Sequence, residues 1–93
     1  MYPLTGARNS VHPATFCFSV HADDDVSVMP KVCGILAKRS LTPERLIATR
    51  FSHGAGELHV DFQINGVDHQ TAEHLAQEMR RMVCARVVLI SQK

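Results

Sequence analysis

The sequence predicts an α+β sandwich whose elements run β-α-β-β-α-β. Three observations carry this prediction. Two segments alternate apolar and polar residues with a period of two, Ala14–His21 and Glu57–Asn65. Two others, Val28–Ser40 and His69–Val83, repeat their apolar residues at helical spacing. The whole chain has 93 residues, enough for one domain.

Residues Met1–Pro13 read as a flexible leader, because Pro3, Gly6, Asn9, Ser10 and Pro13 interrupt any periodicity. Residues 14–93 then form a single domain. Ala14–His21 is the first strand, with Phe16, Phe18 and Val20 on the core face and Thr15, Cys17, Ser19 and His21 on the other. Ala22–Ser27 is a loop. Its three consecutive aspartates precede a helix, and Ser27 is positioned to cap that helix through its hydroxyl. Val28–Ser40 is the first helix. Val28, Val32, Ile35 and Leu36 make one face, Pro30 falls in the first turn and Pro43 bars continuation.

Glu44–His53 is the second strand, and Gly54-Ala55-Gly56 joins it to the third as a hairpin. In the third strand, Glu57–Asn65, Leu58, Val60, Phe62 and Ile64 face the core. Glu57, His59, Asp61, Gln63 and Asn65 face water. Asp68 is positioned to cap the second helix, His69–Val83, whose stripe is Ala72, Leu75, Met79, Met82 and Val83. Cys84–Ser91 is the last strand. Its continuous run Val87-Val88-Leu89-Ile90 implies cover on both faces, by helices or by a partner sheet. This order is the ferredoxin-like split βαβ pattern, a four-stranded antiparallel sheet with both helices on one face.

Composition narrows the function. A net charge of +1 argues against binding nucleic acid through a basic face and against a polybasic membrane anchor. The outer face of the third strand, Glu57, His59, Asp61 and Gln63, is unfavourable for phosphates. No apolar run approaches the roughly 18 residues of a membrane span, and no secretory signal is visible in Met1–Pro13, so a cytoplasmic location is expected. Cys17, Cys33 and Cys84 lie in apolar runs and read as buried, reduced thiols.

Candidate chemistry is sparse. His59 and Asp61 share a strand face, and His21 joins them if strands one and three are neighbours. No closed ligand set with metal spacing appears, so no metal is expected. Asp23, Asp24 and Asp25 read as a solvated capping loop or as an amine-binding edge beside a helix N-terminus. No nucleophile elbow or phosphate-binding glycine loop is present, so no catalytic residues and no cofactor are expected.

The stretch Val26–Leu46, an apolar helix followed by the basic pair Lys38-Arg39, the small Ser40, an extended step and a strand, resembles an ACT domain. So does Leu75–Ser91, a helix followed by a terminal apolar strand. The likeness is nearest to the short small subunits of acetolactate synthase and covers about residues 15–91. It implies a non-catalytic regulatory subunit that pairs as a homodimer through sheet edges and helices. It also implies an amino-acid effector near the first strand–helix loop, here Asp24, Asp25, Val26, Ser27 and Val28. Ser27 stands where the typical loop has glycine, and the aspartate run lengthens the loop. The implied partner is the thiamine-diphosphate-dependent large subunit of acetolactate synthase. The alternative is a stand-alone dimer that senses a small amino acid. A small enzyme or metal carrier on the same scaffold would need a convergent site.

Overall fold

A computed structural model of the chain describes residues 14–93. The leader read at residues 1–13 lies outside the described residues. The elements are β1 (Ala14–Asp23), α1 (Val28–Lys38), β2 (Arg45–Phe51), β3 (Glu57–Val67), α2 (His69–Arg80) and β4 (Ala85–Gln92). The strands form one antiparallel sheet in the order β2-β3-β1-β4. This is the expected ferredoxin-like sandwich.

The period-two pattern sets the sheet's two faces. Phe16, Phe18, Val20 and Ala22 of β1 are buried, as are Val60, Phe62 and Ile64 of β3. They meet Val28, Val32 and Leu36 of α1 and Ala72, Leu75, Ala76 and Met79 of α2 in one core. Phe18 pairs with Phe62 across the two central strands, their rings stacked with centroids 4.8 Å apart. Both helices therefore cover one face, and among the described residues nothing covers the other.

Several boundaries and side chains depart from the sequence reading. β1 runs on through Ala22 and Asp23, where the sequence predicts loop; Ala22 is small and apolar enough to fill a core position. The first helix stops at Lys38, short of Ser40. Ser40 takes φ 56°, while its N–H and that of Leu41 bond the Ala37 and Leu36 carbonyls. This is a Schellman closure, with Leu41 folded back toward the core. The second helix ends at Arg80, so Val83 falls outside the stripe and is almost wholly exposed, while Met82 stays buried.

Cys33 is exposed and Cys17 half-buried; only Cys84 is buried. Cys33 sits in an apolar run, but helical period turns it away from the Val28, Val32, Leu36 stripe. β4 likewise has cover on one face only: Val88 is buried, whereas Val87 and Leu89 are exposed. No helix among the described residues is long and apolar enough to cross a membrane.

Candidate functional site

Two surfaces could carry function: the β1–α1 loop singled out by the sequence, and the open face of the sheet.

At the end of β1 and in the loop that follows, each aspartate of the run has its own partner. Arg86 Nε donates to Asp23 at 2.6 Å, and Arg50 Nε donates to Asp24 at 2.8 Å. Asp25 Oδ1 accepts from the Ser27 N–H at 2.8 Å, and its carbonyl accepts from the Val28 N–H. This contact is an Asx-turn. It holds the Asp25 carboxyl below its ordinary range, the Ser27 backbone N–H being the largest cause.

Ser27 occupies the N-cap position but has helical dihedrals, φ −76° and ψ −12°, and its hydroxyl makes no capping bond. The expected serine cap is thus replaced by the Asx-turn two residues earlier. Asp68, in contrast, caps α2 as expected. It is extended, its carboxylate accepts from the Thr71 N–H at 2.7 Å, and that bond lowers its pKa.

Of the remaining loop residues, Val26 is 95% exposed and Val28 fully buried in the core. The loop therefore presents Val26 to solvent, ties Asp24 to Arg50, and turns Val28 inward. Gly56, on the β2–β3 hairpin, backs the loop. It has φ +86°, and a Cβ there would lie 3.1 Å from the Asp24 Cβ. Both the backbone sign and the close approach call for glycine.

The open sheet face is built by register. Strand pairing places Arg45, Gln63, Cys17 and Ser91 in one row, and Ile47, Asp61, Ser19 and Leu89 in the next. Thr49, His59, His21 and Val87 form the third row. At the first two rows the surface dips into an open trough of about 490 Å³, bordered by Ile47 and Leu89 and floored by Ser19, Asp61 and Gln63.

β1 and β3 are neighbours, so His21 does face His59. Their rings stack with centroids 3.9 Å apart, and Phe51 leans on His59 at 4.6 Å. Ser19 Oγ donates to Asp61, which leaves the serine oxygen to accept from His21 Nε2 at 2.9 Å. His59 Nε2 donates to Glu57 Oε1 at 2.8 Å and is the largest cause of that carboxyl's lowered pKa.

Because β1 and β3 run antiparallel, these two bonds point to opposite ends of the strands. The ring nitrogens diverge, and among the described residues no group of three ligands converges on a metal. A register shift between His21 and Ala22 frees Arg86 from the β4 ladder. Arg86 then bridges Asp23 and, through Nη1 at 2.9 Å, Glu57.

The sequence pattern signalled the His21–His59 encounter. The arginine partners of the loop aspartates escaped it, because Arg50 and Arg86 lie far along the chain and reach Asp24 and Asp23 only through the sheet. The alternation at Arg50 would have misled as well, since it places this residue on the core side at a sheet edge.

A four-stranded antiparallel sheet with two helices on one face defines a ferredoxin-like α+β sandwich. Within that class, the chain belongs to the ACT-like domain family, whose model matches residues 9–93. No curated protein matches it.

Among solved structures, the chain is similar to the ACT domain from GTP pyrophosphokinase of Chlorobium tepidum. The TM-score is 0.72 at 10% identity, covering 86% of this chain and all of that one. It is also similar to an uncharacterized protein from Thermotoga maritima, with TM-score 0.68 at 11% identity over 87% of this chain and 98% of that one. A third likeness is to the regulatory subunit of aspartate kinase from Thermus thermophilus, with TM-score 0.62 at 10% identity over 88% of this chain. This chain spans 53% of that subunit's length.

Proposed function

We propose that this protein is a non-catalytic regulatory module that works by binding. The observation that supports this most is the combination of ACT-like family membership with a site whose charged groups are spent on one another. Asp23 and Glu57 share Arg86, Asp24 holds Arg50, and Asp25 holds the loop backbone. Such groups shape a surface.

The finer reading is a small subunit that binds and activates the large subunit of acetolactate synthase, in branched-chain amino-acid biosynthesis. It rests on the sequence resemblance over Val26–Leu46 and Leu75–Ser91. In this reading the chain pairs as a homodimer through sheet edges and helices. Among the described residues, β2 and β4 are the edge strands of the sheet and could continue it.

The alternative, a dimeric sensor of a small amino acid, draws on the exposed Val26 at the head of α1. Its effector would lie against Asp24, Asp25, Val26, Ser27 and Val28. Two binding experiments separate the readings. In the subunit reading, the chain co-elutes with the purified large subunit. In the sensor reading, calorimetry with valine, leucine or isoleucine gives heat that Ser27→Trp abolishes. Flat titrations with every proteinogenic amino acid remove the sensor reading, and separate elution removes the subunit reading.

A further inference from the structure

We propose that the open sheet face is a self-association surface that packs against the same face of a second copy. Among the described residues, four of the six exposed large hydrophobics lie on it: Ile47, Phe51, Val87 and Leu89, between 36% and 54% exposed. They sit on the two outer strands and make apolar rims around a polar floor. β4 has the apolar run of a strand covered on both sides, yet the described residues cover only one.

The distribution selects the occupant. An amphipathic helix laid along the trough would place its apolar stripe on Ser19, Asp61 and Gln63 and miss the rims. A second sheet reaches both rims at once. Sheets pack about 10 Å apart with strands within about 30° of alignment.

A two-fold axis across the strands, between the Ser19–Asp61 and His21–His59 rows, makes the face complementary to itself. It sets Leu89 over Val87 of the second copy, and Asp61 over His59. It also sets Ile47 over Thr49 and the Arg45 guanidinium over the Phe51 ring. Each contact occurs twice. At ordinary strand spacing and rise the face spans roughly 19 by 23 Å. Two copies then bury on the order of 1,000 Å², at the lower end of specific interfaces, so the association is reversible. The contact needs neither an effector nor an enzyme partner, and edge pairing leaves it free. An edge-paired dimer would become a tetramer through it.

Sedimentation equilibrium of the full chain over rising concentration tests this, with Leu89→Lys, Ile47→Lys and Val83→Lys as variants and circular dichroism to verify folding. Leu89 and Ile47 lie on opposite rims and are about half exposed, so lysine is tolerated in the fold. Val83 is an equally apolar, exposed residue off the face.

The expected result is that both rim variants halve the assembly, or raise its dissociation constant by about tenfold or more, while Val83→Lys behaves as the wild type. If edge pairing fails but face packing holds, the wild type is a dimer and the rim variants are monomers. A wild type that stays monomeric at the highest concentration overturns the proposal. So do folded rim variants that keep the wild-type mass, or a Val83→Lys variant that dissociates equally.

Discussion

Asp25 and Ser27 show how a single carboxylate decides a local structure. Serine before an apolar helix is a sound cap signal, but an aspartate two residues earlier reaches the same amide region first. Asp68 has no such competitor and caps as its sequence suggests. Cys33 is exposed despite its apolar neighbours, because burial on a helix follows angle rather than neighbourhood.

Two backbone positions give predictions at this scale. Ser40 holds a left-handed φ of 56° at the closure of α1, a place that favours glycine. Ser40→Gly should raise unfolding stability by up to about 1 kcal/mol in urea titration. Gly56→Ala should act in the opposite direction. The positive φ and the Asp24 contact together cost on the order of 1–2 kcal/mol, with the loss again read in urea.

Among the elements, β1 organises the molecule, because it pairs with both β3 and β4 and supplies four core side chains. Its alternation was legible because each residue on one face is apolar and bulky or packs against α1 and α2. The same alternation put His21 and His59 on the open face, and the β1–β3 register then brings them together. β4 was legible as a strand, but its face could not be told from a run of apolar residues on both sides.

The Phe18–Phe62 stack is the centre of the β1–β3 pair. Phe18→Ala should cost about 3–5 kcal/mol, a large part of a small domain's stability, and leave much of the protein unfolded on a denaturant curve. At the other end of the sandwich, Arg80 Nη2 donates to the Val88 carbonyl and ties the last turn of α2 to β4. Arg80→Ala should therefore increase amide exchange in β4 while leaving β2 unchanged.

For the whole molecule, the carboxylates set the response to acid. Asp25, Glu57 and Asp68 all have pKa values below their ordinary ones. The causes are the Ser27 amide, the His59 ring and the Thr71 amide respectively. A depressed pKa means that the folded state binds protons less readily than the unfolded chain. The contribution is complete above the unfolded values and is lost as pH falls through the folded ones. Stability should therefore fall as pH drops below about 4, a decline that melting temperatures against pH would record. Asp68→Asn keeps a capping oxygen but removes the charge, so it should shrink the acid-side slope.

At this scale the order of elements, the antiparallel sheet and the single covered face could all be read from periodicity. The ion pairs that close the β1–α1 loop could not, since they join residues 26 and 63 positions apart through the finished sheet.

The proposed subunit role is tested most directly by the rate of acetolactate formation by the purified large subunit of acetolactate synthase, with and without this chain. An activating small subunit raises the rate until it saturates as the chain is added. An unchanged rate at saturating chain would contradict it.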